Sequence, residues 1–317
     1  MPRIGYFLSS EDWAPAQLLT QARAAEEAGF RGLWISDHFH PWNDEQGQSS
    51  FVWSVIGALS QVTRLPITTA VTCPTVRIHP AVLAQAAATA AVMLGGRFTF
   101  GVGSGEALNE HILGDAWPSA DVRLEMLAEA IAVIRLLHQG GFVDHRGRHY
   151  RVEHARIYTL PEAPPPIYIS AFGPKAAELA GRVGDGFIST MPDADLLKTF
   201  RDSGGGDKPT QAGYKVCWGG DAAAAKRTAH RLWANAGLPG ELSQVLPSPR
   251  HFEQASSLVT EEMTGKSIVC GNDVTTHIEA LQSYLDAGYD DVYINQIGPD
   301  QEGFFEFYAD RVLPEVG

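Results

Sequence analysis

A chain of 317 residues with 44% hydrophobic and 19% charged side chains has ample apolar material for a large core. Its net charge of −13 argues against nucleic acid as a partner, because phosphate binding calls for a basic patch and none stands out. No apolar run reaches the length of a membrane span, the opening residues Met1-Pro2-Arg3-Ile4-Gly5 carry no apolar leader, and Cys73, Cys217 and Cys270 match neither a disulfide framework nor a Cys-x-x-Cys metal site. A cytoplasmic protein with reduced thiols and no membrane association is expected.

Residues 3–8 read as a first strand, followed by the loop Ser9-Ser10-Glu11-Asp12, which has capping potential. Residues 15–28 read as a helix, with Leu18, Leu19, Ala22 and Ala25 on one face and Gly29 closing it. The apolar run ending in Leu33-Trp34-Ile35 is a buried strand, a helix spans 51–62, and the β-branched run within 66–73 is a third strand. An alanine-rich helix opened by Pro80 runs to residue 94, then a strand covers 97–102 and a helix 121–138. Residues 142–160 break the pattern, because Arg146-Gly147 sits between short alternating runs and predicts an inserted antiparallel hairpin. Strands at 167–170, 186–190, 214–218 and 291–297 alternate with helices at 175–183, 196–202, 222–235, 273–287 and 304–312. Ser203-Gly204-Gly205-Gly206 reads as a flexible loop, and residues 236–265 as a second insertion, a lid or side segment with helix near 251–263.

Strands separated by helices of this length pair in parallel through crossovers. About eight such units without an internal linker predict one (β/α)8 TIM barrel over residues 1–317 rather than a doubly wound sheet. In such a barrel the loops after the strand C-termini carry the chemistry. Glu11, Asp37-His38, Cys73 to Arg77, Gly103 to Glu110 and Ser170 to Pro174 all fall in those loops, after different strands. The segment Ser36-Asp37-His38-Phe39-His40-Pro41-Trp42 stands out among them, although a histidine after a strand also serves as an ordinary turn residue. Three alternate glycines, Gly101, Gly103 and Gly105, lack dinucleotide-fingerprint spacing and read as backbone approaching a flat ligand. Glu106 then either faces that ligand or simply opens a helix. Ala171-Phe172-Gly173-Pro174 precedes a helix whose free N–H groups make an anion site. The histidines follow no metal-binding spacing, so no metal is expected.

Four segments carry a resemblance: Ser36-Asp37-His38-Phe39-x-Pro41-Trp42, Pro74-Thr75-x-Arg77-x-x-Pro80-Ala81-Val82, Gly103-x-Gly105-Glu106-Ala107-Leu108-Asn109-Glu110 and Gly184-Asp185-Gly186-Phe187-Ile188. Together they resemble the luciferase-like superfamily, in its branch that uses the deazaflavin coenzyme F420, and within it the F420-dependent glucose-6-phosphate dehydrogenases. The resemblance implies a TIM barrel, a homodimer, and hydride transfer from a sugar hemiacetal or secondary alcohol to F420. It implies that His38 accepts the hydroxyl proton, Trp42 packs over the reacting carbon, Glu11 holds substrate or tunes His38, and Glu106 donates a proton to the cofactor ring. That last role calls for a partly desolvated, protonated Glu106. It further implies cofactor contacts from Asp37, Asn109, Cys73 and the Ala70-Val71 pair, whose peptide bond is cis in the family. Ser170, Ala171, Phe172, Gly173 and Pro174 would hold the cofactor's phosphate side.

One departure bears on substrate. Where the glucose-6-phosphate enzymes meet the substrate phosphate with three basic residues, the matching positions here are Asp193, Gln254 and Lys266. A phosphate dianion wants several cationic donors, so a phosphosugar substrate is doubtful. The alternatives are F420-dependent glucose-6-phosphate oxidation itself, an FMN-dependent monooxygenase on the same barrel, and a non-catalytic deazaflavin-binding protein. The pairing of His38 with Glu106 disfavours the second, and the Asp37-His38 and Trp42 cluster disfavours the third.

Overall fold

Short, largely apolar strands open the repeating units of the chain. They are β1 (Arg3–Leu8), β2 (Leu33–Ile35), β3 (Ile67–Thr69), β4 (Phe98–Val102), β5 (Val143–Arg146), β6 (Arg151–Ala155), β7 (Ile167–Ser170), β8 (Gly186–Ser189), β9 (Thr210–Cys217), β10 (Val269–Cys270) and β11 (Asp291–Gln296). The structure, a computed structural model, describes residues 2–316, so Met1 and Gly317 of the expected unit lie outside the described residues. Eight strands pair in parallel in the order β1-β2-β3-β4-β7-β8-β9-β11, and β11 returns to β1 with Arg3 opposite Asp291 and Tyr6 opposite Ile294. That closure is the predicted (β/α)8 barrel, with no free edge to protect.

Helices wrap the outside. Pro15, Pro80 and Pro174 occupy first-turn positions where a missing N–H costs nothing, and Asp193, Asp221 and Asp273 cap later helices through their carboxylates. Among the described residues, no helix is long and apolar enough to cross a membrane. The barrel interior is filled by Trp34, Tyr168, Ile188 and Tyr293. Trp34 stacks on Tyr293 at 4.7 Å, donates from Nε1 to Gln211, and fits because a Cβ at Gly213 would stand 2.4 Å from its ring. This plug leaves the strand C-termini as the face where a ligand can sit.

The insertion at 142–160 is the expected hairpin, β5 against β6, with Arg146 opposite Arg151. Other expectations need correction. β3 stops at Thr69 rather than 73, and Thr72 bridges to Val102 only in isolation. β9 begins at Thr210 rather than 214, because Thr210 and Gln211 are polar yet buried and hydrogen-bonded inside the barrel. Residues 203–206 were expected to form a flexible loop, but Arg201–Gly205 forms a π-type turn, with Gly204 at φ 105 against Gly181. The second insertion holds three helices, Leu242–Val245, Pro249–Ser256 and Glu261–Ser267. The single helix expected at 251–263 is interrupted where Thr260 accepts from the Met263 amide and starts a new one. Strand β10 has no counterpart in the sequence reading, and the short helix Ala107–Glu110 is the one whose opening is the alternative role expected of Glu106.

Candidate active site

The loop after β1 brings Glu11 beneath the loop after β2. Glu11 Oε1 stands 3.4 Å from His38 Nε2, and both side chains are nearly sealed from solvent. Glu11 Oε2 accepts from Ser36 Oγ at 2.5 Å and lies 3.0 Å from Ser9 Oγ. His38 Nδ1 lies 3.3 Å from the His40 carbonyl and Nε2 lies 3.4 Å from Glu11 Oε1, so both ring nitrogens face acceptors and compete for the one proton of a neutral imidazole. Trp42 meets the His38 ring edge-on at 5.0 Å and is itself backed by Phe252 of the second insertion, also at 5.0 Å. The three expected substrate-side residues Glu11, His38 and Trp42 are thus one assembly, and the insertion supports it from outside.

Asp37 faces the other way. Its Oδ2 accepts from Thr72 and its Oδ1 from Arg77, both at 2.8 Å. Arg77 also donates its backbone N–H to Glu110 Oε2 at 2.7 Å, and its Nε stands 3.4 Å from Glu110 Oε1. All three side chains are buried. Burial pushes the Glu110 carboxyl up to about 7 even though the Arg77 charge pulls it down. This ion network, which ties the loops after β2, β3 and β4 together, was not read from the sequence beyond Arg77's place in a motif.

Asn109 Oδ1 accepts from the Phe39 and His40 amides at 2.8 and 3.1 Å, while its buried Nδ2 has no partner. A buried unpaired donor is costly and suits a ligand acceptor. The Ala70–Val71 bond is cis, as the resemblance implies. The three glycines also have a packing role that the sequence did not show. A Cβ would stand 1.8 Å from the Thr69 carbonyl at Gly101, 2.7 Å from Val71 at Gly103 and 2.5 Å from Cys73 Sγ at Gly105. They let β4 and its loop close on the end of β3, a role in packing beside the expected approach to a ligand. Cys73 is buried there and bonded to Thr75. Glu106 is half-buried and opens the helix Ala107–Glu110; its carbonyl accepts from the Asn109 and Glu110 amides, while its carboxylate caps nothing and accepts no hydrogen bond among the described residues.

Across the mouth, Ser170 ends β7, Ala171 donates its amide to Ile188, and the helix Pro174–Val183 starts at Gly173 without a side-chain cap. The uncapped N–H groups there, the unpaired Asn109 amide and the open rim fit a flat ring with an anionic tail. Asp193, Gln254 and Lys266 are all exposed. Asp193 caps its own helix, Lys266 pairs with Glu262 at 3.4 Å, and no hydrogen bond joins the three among the described residues. No cluster of three or more metal-ligating side chains occurs among the described residues.

Asp12 was read only as a capping candidate. Its Oδ2 accepts from Trp233 Nε1 at 3.1 Å and lies 2.7 Å from Ser9 Oγ. Burial first, then the neighbouring Glu11 charge, push its carboxyl up to about 7. The native state therefore holds a proton on Asp12, between about pH 4 and 7, that the unfolded chain has released, and stability from this group is lost as pH rises through that window. Asp12→Asn mimics the protonated form. Relative to the parent, it should raise Tm at pH 8 by on the order of 2–5 °C and by much less at pH 5. An equal shift at both pH values, by calorimetry, would show that the carboxyl is ionised throughout.

Comparison with known proteins agrees with this geometry. The family model described as luciferase-like monooxygenase matches residues 2–291. An F420-dependent glucose-6-phosphate dehydrogenase of Nakamurella multipartita is 37% identical over 99% of this chain and 96% of that protein. An F420-dependent hydroxymycolic acid dehydrogenase of Mycobacterium tuberculosis is also 37% identical, over 99% of this chain and 88% of its own length. Among solved structures, an F420-dependent secondary alcohol dehydrogenase in complex with an F420-acetone adduct superposes with a TM-score of 0.92 at 30% identity, covering 100% of this chain and 99% of that one.

Proposed function

The chain belongs to the luciferase-like monooxygenase family, and from that premise we propose that it is an F420-dependent dehydrogenase acting on a secondary alcohol or sugar hemiacetal. The observation that carries the reading is His38 at the rim, with Glu11 3.4 Å from its Nε2 and Trp42 across its ring. Bound F420 would accept the hydride. His38 Nε2 takes the hydroxyl proton, a task suited to an imidazole near neutral pH. Glu11 steadies the imidazolium that results, and Trp42 excludes water above it. Glu106, whose carboxylate accepts no hydrogen bond among the described residues, is the residue assigned to hand a proton to the cofactor ring. Asn109 Nδ2 offers a donor to a ring acceptor beside the Ala70-Val71 pair, and the buried Asp37 and Cys73 support that side from behind. Ser170, Ala171, Phe172, Gly173 and Pro174 hold the anionic tail. A homodimer, from family resemblance, and a cytoplasmic location, from the three unpaired cysteines, complete the reading.

The test is spectroscopic. F420 should quench on titration with the protein, FMN should bind weakly, and a panel of alcohols and sugars should bleach the oxidised F420 absorbance. Equal or tighter FMN binding with oxygen-consuming turnover would sink the assignment.

Glucose-6-phosphate should be a poor substrate beside neutral sugars or alcohols. Two of the three positions matched to phosphate contacts offer no cation, and Asp193 adds a carboxylate there. Each charge-assisted hydrogen bond lost is worth roughly 1.5–3 kcal/mol, so two of them correspond to at least about a hundredfold in affinity. A comparison of kcat/KM on phosphorylated and free glucose decides this, and preference for the phosphosugar refutes it. Gain of phosphosugar activity by Asp193→Lys would support it.

A further inference from the structure

A chain of polar groups leaves His38 on the side away from the mouth. Glu11 Oε1 faces His38 Nε2, Glu11 Oε2 lies 3.0 Å from Ser9 Oγ, and Ser9 Oγ lies 2.7 Å from Asp12 Oδ2. The Ser9 hydroxyl has one proton for two carboxylates, so it can serve only one at a time and can switch between them. Ser36 does not compete for that role: its Oγ accepts from the Ser10 amide at 2.9 Å, and its own proton goes to Glu11. Asp12 Oδ1 is buried with no partner. A buried charge without a partner costs more than a buried neutral group, so the site favours the protonated carboxyl.

Beyond Asp12 the chain reaches a different surface. Asp12, Trp13, Glu45, Gln46, Thr228, Arg231, Leu232, Ile297 and Pro299 line a groove of about 160 Å³ between the loop after β2, the helix Ala222–Trp233 and the loop after β11. His38 does not line it.

We propose that Asp12 is a positioning residue that ends a proton path from His38 through Glu11 and Ser9 to this outer groove. The path rests on the dehydrogenase reading for its purpose. In alcohol oxidation the hydride pair leaves carbon for the deazaflavin, the carbonyl forms, and the hydroxyl proton passes to His38 Nε2. With the mouth filled by cofactor and substrate, that proton needs another way out. It moves to Glu11 Oε1, the Glu11 carboxyl turns to present that oxygen to Ser9, the Ser9 hydroxyl passes its own proton to ionised Asp12 while taking the one from Glu11, and Asp12 releases its proton into the groove. The reverse sequence supplies His38 with a proton for carbonyl reduction. The groups facing Asp12 are Glu11 and Ser9 on its own loop, Tyr6 on β1, Lys215 on β9 and Trp233. Arg231 and Glu45 pair with each other on the groove wall. Lys215 lies 4.2 Å from the Trp233 ring centre, and burial pushes its amine downward, so it does not simply fix Asp12 as an anion.

The experiment follows the His38 imidazole by NMR in cofactor-free protein with labelled histidine, across pH 5 to 9. In the parent, His38 should titrate in two coupled steps, the second belonging to Asp12. Asp12→Asn and Ser9→Ala should each reduce this to one step, and Ser9→Thr, which keeps the hydroxyl, should restore two. A parent curve of one step, or a two-step curve unchanged in both variants, overturns the path. On the holoenzyme, Asp12→Asn should lower kcat by less than about 10²-fold, the lower limit for a group that itself moves the proton, with KM unchanged. It should also enlarge the solvent isotope effect, and small weak acids should restore the rate. An unchanged isotope effect overturns the path in turnover. The NMR result does not depend on F420, so an absence of any alcohol oxidation beside coupled titration tells against the dehydrogenase reading and not against the path.

Discussion

His38→Ala loses alcohol-dependent F420 reduction by about 10²–10⁴-fold, while F420 affinity stays close to that of the parent. The range is the usual worth of a positioned base, and the geometry explains why the loss falls on kcat. Nε2 has no protein donor, and Glu11 stands 3.4 Å behind it, so its remaining partner is whatever occupies the mouth. The cofactor-side groups assigned above, Asn109 and the residues after β7, are anchored by other contacts. Steady-state kinetics beside a fluorescence titration separate the two quantities. Glu106→Gln should also slow turnover, because an amide cannot hand over the proton assigned to Glu106. Parent rates in both variants on a true substrate would remove both residues from the mechanism. Loss of F420 binding in His38→Ala would move His38 to the cofactor side.

The barrel was legible because its strands are short apolar runs bounded by turns, and because Pro15, Pro80 and Pro174 mark helix starts. What the reading missed has a common cause, polar residues whose partners are distant in sequence. Thr210 and Gln211 read as loop, yet Asp290, Trp34 and Tyr293 satisfy them inside the barrel. The rim grouping of Glu11, His38, Trp42, Glu106 and Asn109 followed from strand order alone, since every one of them trails a strand. Which carboxylate faces which cation did not. Asp37 lies next to His38 in sequence but points to Arg77, and Asp12 lies next to Glu11 but points to Trp233. Alternation along extended backbone was the available hint that neighbours diverge. The packing role of Gly101, Gly103 and Gly105 was not legible, because their close neighbours, Thr69, Val71 and Cys73, come from a different strand end.

Arg77→Met should cost about 3–5 kcal/mol of folding stability, the usual result of breaking a buried ion network from one side. Arg77 is the cation between Asp37 and Glu110, and its own side chain is only 6% exposed, against 0% and 1% for the two carboxylates. Methionine fills much of the volume but leaves both carboxylates without their countercharge. Thr72 still serves Asp37, and the residue 77 amide still serves Glu110, so the site is weakened and not emptied. The pH dependence follows from Glu110. Its carboxyl is already raised to about 7 by burial, with the Arg77 charge the first influence opposing that rise, so without Arg77 it rises further. A native carboxyl raised above its unfolded value contributes stability at low pH that is lost as pH increases. The variant should therefore lose less stability at pH 5.5 than at pH 8. Adding Glu110→Gln should recover part of the loss at pH 8 and little at pH 5.5. Urea melts of the three proteins at both pH values measure this, and a loss under about 1 kcal/mol would mean that solvent reaches the carboxylates. Arg77 also has a route to the chemistry. Asp37 immediately precedes His38 and Glu110 immediately follows Asn109, so one guanidinium holds the backbone beside the base and beside the cofactor-side amide. Arg77→Met should for that reason weaken F420 binding and slow turnover together, which separates it from His38→Ala, where only turnover falls.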